Sequence, residues 1–351
     1  MRSFARFLPE PEMRAACLSI SLALICFVRP IQAQGQANTF KIAFGSCSRE
    51  TNKTQLWAEI VDKNPNVWMW IGDNVYADTH NMDTLRAAYD KQKSHADYQR
   101  LMKTASIIGT WDDHDYGFND GGKFFGRKEQ SKIELLRFLG VPADADVRKH
   151  SGVYQSFSFG KGGQVTKIIL LDTRSFRDTL AKSTTQGKRY ETNTTGDILG
   201  KEQWAWLENE LTHSKANLHI IASSIQFLAN EHGFEKWGNF PKARKHMFAL
   251  LQKVKPVNTF FVSGDRHIAE FSAVKLKRLN YKLYDFTSSG LTHTWSEPWK
   301  EANKLRVGNI IIEKNYGLIT VDWQSTKPIV TMQVLGQNNQ LFAEVKTDFT
   351  N

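Results

Sequence analysis

Val67-Trp68-Met69-Trp70-Ile71, running directly into Gly72-Asp73-Asn74-Val75-Tyr76, is the stretch whose reading decides the fold. Five consecutive apolar residues rich in β-formers describe a buried strand, and the Gly-Asp pair supplies the tight turn that ends it. The same pattern returns along the chain. Residues 40–44 lead into Gly45-Ser46-Cys47, and residues 106–110 into Trp111-Asp112-Asp113-His114-Asp115. Residues 167–171 lead into Asp172-Thr173-Arg174, and residues 259–262 are followed by Gly264-Asp265-Arg266-His267. In open α/β sheets ligands bind beyond the carboxyl ends of the strands. The five clusters are therefore expected to converge on one rim.

Between these strands lie helical patterns: residues 54–63, with Leu56, Ile60 and Val61 turned inward, then 82–103, 130–139, 201–213 and 242–253. Residues 218–222 read as a further buried strand. From residue 309 onward the pattern changes to a β meander, with strands at 309–313, 318–322, 329–334 and 341–345. Strands alternating with helices predict an α/β protein, a β-sandwich flanked by helices. No internal repeat, low-complexity tract or Pro-rich linker divides the chain, so residues 34–351 are read as one domain.

Residues 1–33 read as an export signal and not as part of the fold. Arg2, Arg6 and Arg14 precede an apolar run from Cys17 to Val28, and Ala33 supplies a small residue at a cleavage point. The run is shorter than the roughly 20 residues that span a bilayer, so no integral membrane span is expected. Pro9 and Pro11 fit a signal poorly, whereas a start at Met13 places Arg14 directly before the apolar stretch. No Arg-Arg pair and no lipoprotein pattern accompanies it, which leaves the general secretory route and a periplasmic or secreted destination.

Cleavage would remove four Arg and two Glu, lowering the formal net charge from +10 to about +8. The basic residues are spread along the chain and form no block, which favours a general attraction for anionic substrates over a dedicated nucleic-acid partner. Of three cysteines only Cys47 would survive, so the mature chain has no intramolecular disulfide. A lone thiol in an oxidising compartment is either buried or bound to a metal.

Asp112-Asp113-His114-Asp115 packs three acids beside an imidazole, and carboxylates so crowded repel one another without a cation, which favours metal binding over a solvated loop. Asp73 in its Gly turn is either a backbone cap or a carboxylate shared by two cations. Tyr76 is either a surface-turn tyrosine or a donor to the same ion. Asp265 and His267 add a hard oxygen and an imidazole.

Taken together, FGSC, GDNVYAD, TWDDHDYG, LDTR, SSIQ, WGNFP and SGDRH resemble the alkaline phosphatase D family of the metallophosphoesterase superfamily, from Phe44 to about Gly290. The resemblance implies a four-layer α/β/β/α metallophosphoesterase-like sandwich. It implies a two-metal site built from Cys47, Asp73, Tyr76, Asp113, Asp265 and His267. Ordinary superfamily members end the first strand in Asp-x-His, the third in Gly-Asn-His and the last in Gly-His-x-His; here Cys47, Asp113 and Asp265 depart as this branch does. Some branch members carry a separate amino-terminal β domain, which is not expected in this chain.

Thiolate, phenolate and imidazole from Cys47, Tyr76 and His267, with Asp73 bridging, suit a transition metal such as Fe(III). Asp73, Asp113 and Asp265 suit Ca²⁺. The resemblance points to iron plus calcium, with Zn²⁺ or Mn²⁺ as alternatives. Gln226 is read as a supporting residue or a neutral ligand, and Asp112 and Asp115 as groups that orient neighbours or hold a further calcium. A metal-bound hydroxide is the implied nucleophile on a phosphate ester. His114 is then a phosphate contact or leaving-group acid, or else a buried structural histidine. Arg174 is either a phosphate clamp or an ion-pair partner of Asp172 or Asp178. Residues 236–241 form either a wall for the leaving group or a packed aromatic turn. A phosphodiesterase or phospholipase C type activity is the alternative enzyme, and a non-catalytic calcium- or anion-binding module the alternative class.

Overall fold

A computed structural model describes residues 39–295, 301–324 and 326–350, within a compact unit spanning Asn38–Asn351. The export signal read at residues 1–33 lies outside the described residues. Fifteen strands are present among the latter: β1 (Thr39–Gly45), β2 (Val67–Ile71), β3 (Ser106–Thr110), β4 (Gln155–Lys161), β5 (Gln164–Leu170), β6 (Ala181–Lys182), β7 (Tyr190–Glu191), β8 (Leu218–Ser223), β9 (Thr259–Ser263), β10 (Ala269–Lys275), β11 (Lys282–Ser288), β12 (Arg306–Ile311), β13 (Tyr316–Gln324), β14 (Lys327–Leu335) and β15 (Leu341–Thr347). The α-helices are α1 (Trp57–Asp62), α2 (Met82–Lys93), α3 (Ala96–Thr104), α4 (Asp113–Tyr116), α5 (Lys128–Phe138), α6 (Gly200–Thr212) and α7 (Pro241–Val254).

Two mixed sheets carry the architecture. The first has the order β15-β14-β13-β1-β2-β3, and the second β12-β10-β11-β9-β8-β5-β4. β1, β2 and β3 run parallel, as do β5, β8, β9 and β11, so their carboxyl ends fall together within each sheet. Because successive strand residues face opposite sides, β2 divides its side chains between two layers. Val67, Met69 and Ile71 enter the core between the sheets, beside Ile168, Leu170, Ile220, Phe260 and Val262 from the opposite sheet. Trp68 and Trp70 turn outward onto Trp57, Tyr98, Leu101 and Phe138 of the helices. The second sheet repeats the division: Ile169, Ile221 and Phe261 pack against Leu207, Leu211, Met247 and Leu250 of α6 and α7. The result is the four-layer α/β/β/α sandwich.

Three local expectations are corrected. The helix read over residues 82–103 is two helices, broken at Ser94 and His95. The residues expected as the first strand of the meander form β12, which pairs with β10 in the other sheet, so only β13, β14 and β15 make the meander. Strands β4, β10 and β11 were not anticipated. In β10 and β11 the buried Glu270 and Asp285 interrupt the apolar run that would have marked them.

Candidate metal centre

Strand ends from both sheets supply the site. Cys47 follows β1, Asp73 and Tyr76 follow β2, Asp113 and His114 open α4 after β3, and Asp265 and His267 follow β9. Four of the six expected donors take left-handed backbone: Cys47 (φ 60), Asp73 (φ 48), Asp265 (φ 69) and His267 (φ 54). Left-handed backbone at a residue with a Cβ costs on the order of 1–3 kcal/mol, and such residues cluster at functional sites. The turn before Asp73 is equally constrained. Gly72 has φ 105, and a Cβ there would meet Cβ of Asp112 at 2.4 Å.

The six expected donors gather as overlapping groups. Ligand atoms of Cys47, Asp73 and His267 lie within 4.8 Å of one another; so do those of Asp73, Asp113 and His114, and those of Asp112, Asp113 and Asp265. Tyr76 joins the first group, its hydroxyl 3.2 Å from Asp73 Oδ2 and 2.9 Å from His267 Nε2. Cys47 Sγ stands 3.5 Å from Asp73 Oδ2. Asp73 is common to the first two groups and Asp113 to the last two. The site is thus a continuous row with a soft end and an oxygen end.

Its electrostatics are those of a place short of positive charge. Burial, and then Asp113, push Asp265 up to about 8. Burial is also the main cause that raises Asp73, and it pushes the Cys47 thiol and the Tyr76 phenol up, with Asp73 adding to both. Burial, helped by His293 and Arg266, lowers His267 to about 3, an imidazole kept neutral and able to donate a lone pair. Asp113 departs from this trend. Burial opposes its ionisation, but Arg174 and His114 outweigh it and hold the carboxyl at about 2. Buried carboxylates beside a neutral imidazole and a thiol, with Arg174 already paired to Asp112 and Arg266 to Glu301, are a donor set that fits bound cations.

His114 is half-buried, its ring centred 4.2 Å from that of Tyr76 and tilted to it by 31°, with Nδ1 held 2.8 Å from Asp78. Burial disfavours its charge, yet Asp73 and Asp78 prevail and raise it to about 10. Asp115 serves structure: its carboxylate takes hydrogen bonds from the Asp112 backbone N–H (2.8 Å), Asn74 Nδ2 (2.7 Å) and Tyr89 hydroxyl (3.1 Å). Gln226 donates to Glu270 and to Thr287, both at 2.8 Å, while its Oε1 is buried without a hydrogen-bond partner.

The placement of Arg174 favours the ion-pair alternative over the phosphate clamp, with partners other than Asp172 or Asp178. Its side chain has 0% exposure and pairs with Asp112 and, at 2.7 Å, with Glu235, which also binds Arg177 Nε at 2.9 Å. Asp172, one of the partners expected, is instead taken up by Trp111 Nε1 (3.0 Å) and the backbone N–H groups of Val153, Arg174 and Ser175 (each 2.9 Å). The other, Asp178, pairs with Lys123. Within residues 236–241, Trp237 and Phe240 are fully buried in the core beneath α6 and α7, which makes this segment a packed aromatic turn.

Two residues at the site were not singled out from the sequence. Arg49, exposed and two residues beyond Cys47, lays its guanidinium over the Tyr76 ring at 4.7 Å. His293 packs against His267 at 4.4 Å and Tyr76 at 5.1 Å. Both are fastened by Thr292, whose hydroxyl receives the Arg49 backbone N–H at 2.9 Å and lies 2.9 Å from His293 Nδ1.

A four-layer sandwich that gathers carboxylate, imidazole, thiol and phenol donors on its strand ends defines a metallophosphoesterase-like protein. The chain belongs to the PhoD-like phosphatase family, whose model matches residues 42–301. Alkaline phosphatase D of Bacillus subtilis (strain 168) is 24% identical over 270 residues, covering 66% of this chain and 44% of that protein, so the chain spans less than half the length of this curated relative. A solved structure of PhoD superposes with a TM-score of 0.70 at 17% sequence identity, over 88% of this chain and 68% of the other, and shares its fold. No described helix is long and apolar enough to cross a membrane.

Proposed function

We propose that the chain is an exported, metal-dependent phosphoester hydrolase with a two-cation centre. The observation that carries this reading is the meeting of Cys47, Asp73 and His267, brought from three strand ends in two sheets, with the carboxylates of Asp113 and Asp265 alongside. Cys47, Tyr76 and His267 would hold a transition ion, Fe(III) before Zn²⁺ or Mn²⁺, and Asp113 and Asp265 a hard dication such as Ca²⁺, with Asp73 between them. Cations so held supply Lewis acidity and neutralise charge on the phosphoryl oxygens.

The remaining steps fall to the side chains. His114 keeps a proton that it can pass from Nε2 to a leaving alkoxide, because Asp78 occupies Nδ1 and fixes the ring. Arg49 takes the phosphate-binding role first assigned to Arg174, since its planar donors are exposed beside Tyr76 and unpaired with any carboxylate among the described residues. Export rests on the basic-then-apolar pattern of residues 1–33.

The test is elemental analysis of the purified native protein combined with hydrolysis of one aryl phosphate monoester and one aryl diester. Co-purifying metal together with hydrolysis of at least one ester is expected. Protein that is metal-free, gains no activity on reconstitution and cleaves neither ester would end the proposal.

A further inference from the structure

Beside the oxygen end of the metal site lies a cavity of about 380 Å³, formed by the segment after α4 and the small β6–β7 hairpin. Its lining includes two of the few large apolar side chains that the fold leaves open, Phe118 at 43% and Phe124 at 76% exposure, with Tyr190 on the hairpin side. Isolated exposed apolar residues need no explanation, but two aromatic rings lining one concavity mark a binding surface.

The cavity is tied to the site through its lining and is held in shape. Asp120, which lines it, donates its backbone N–H to the Asp113 carboxylate. Phe118 lies 6.1 Å from the His80 ring, on the loop that also carries Asp78, the partner of His114. The segment is pinned from beneath by buried Arg177, whose Nη2 donates to the carbonyls of Asp120 (2.5 Å) and Gly121 (2.7 Å). Its charge is positive at the rim. Lys123 pairs with Asp178 and Arg189 with Asp120, whereas exposed Lys182 has no ion-pair partner among the described residues.

We infer that this cavity is the subsite for the organic group of the phosphoester, and that it selects esters of alcohols carrying a flat aromatic group, with an acidic substituent on that group favoured through Lys182. A ring entering between Phe118 and Phe124 gains stacking contact that an alkyl group of the same length does not. A carboxylate or second phosphate on the ring would face the cation at the mouth. The inference rests on the phosphoesterase reading, because it takes the phosphate to lie at the adjoining donors.

Binding of phenylphosphonate, methylphosphonate and 4-carboxyphenylphosphonate to the metal-loaded protein tests it by calorimetry, alongside hydrolysis of the corresponding phosphate monoesters. Phenylphosphonate is expected to bind about tenfold more tightly than methylphosphonate, with Phe124→Ala removing most of that preference. The carboxyphenyl compound should gain a further severalfold that Lys182→Ala abolishes. Both side chains are exposed, so melting temperatures close to the parent protein are expected and serve as the check on folding. Equal binding of phenyl and methyl compounds, or a preference that survives Phe124→Ala, overturns the subsite even when the protein hydrolyses esters. A phenyl preference in a protein that cleaves no ester leaves the subsite standing and removes the hydrolase reading instead.

Discussion

Replacing Arg49 and Arg174 in parallel separates two roles that an arginine near a phosphate site can have, and the structure gives opposite expectations for the two. Arg174→Ala leaves Asp112, whose side chain is 1% exposed, without its cation, while the equally buried Glu235 keeps Arg177. Removing one partner of a buried pair costs about 3–5 kcal/mol, and a single stranded carboxylate places this variant toward the lower figure. Arg49 is exposed, so Arg49→Ala should change folding stability by no more than about 0.5 kcal/mol. It should instead remove a charge-assisted hydrogen bond to phosphate, worth about 1.5–3 kcal/mol. That corresponds to roughly a 10- to 150-fold rise in the inhibition constant of inorganic phosphate. Urea unfolding followed by tryptophan fluorescence gives the first quantity, and competitive inhibition by phosphate the second. Arg49→Lys should recover part of the affinity, because it restores charge without the bidentate geometry. The reasoning is refuted if Arg49→Ala binds phosphate within twofold of the parent, or if Arg174→Ala unfolds within about 1 kcal/mol of it.

Three further outcomes are expected. Cys47→Ser and Tyr76→Phe should each lower the transition-metal content and alter the visible absorption of the purified protein; unchanged metal and colour in both would remove these side chains from the ligand set. Asp172→Ala should destabilise the fold by about 3 kcal/mol or more, since it strands the Trp111 ring N–H and three backbone N–H groups in the interior, and a chemical-denaturation shift under 1 kcal/mol would contradict this. His219 is fixed between the Val257 carbonyl and the Ser214 hydroxyl, each at 2.8 Å, and burial lowers its pKa. Below the ordinary histidine value the unfolded chain takes up a proton that the folded chain refuses, so stability falls as pH drops below about 6.5, by up to about 1.4 kcal/mol per pH unit from this residue. His219→Gln should flatten the acid side of the stability profile, and an identical slope in parent and variant would count against it.

Where the apolar signal was local, the sequence was read correctly: β2 and β3 fall on the residues expected, and β1, β8 and β9 within a residue or so. The pairing of β12 with β10 was not legible, because it joins segments more than thirty residues apart that carry no shared pattern. The gathering of Cys47, Asp73, Asp113, Asp265 and His267 could be anticipated, since every one follows a recognisable strand. His293 was missed for the complementary reason: it stands just beyond β11, and Asp285 in that strand had disguised it. The fate of Arg174 depended on Glu235, a residue in a loop with no regular pattern to place it. Arg49 had a usable signal, its position two residues past Cys47, which attention to the thiol alone overlooked.

The left-handed turns beneath Cys47, Asp73, Asp265 and His267 bear on any attempt to rebuild this centre in another scaffold. A designer who copies only side-chain positions onto idealised loops would aim the Cβ bonds elsewhere, and choosing glycine to relax the torsions would delete the donor itself. The portable unit is therefore the whole hinge from strand to ligand, together with enough flanking sheet to keep it bent against its own preference.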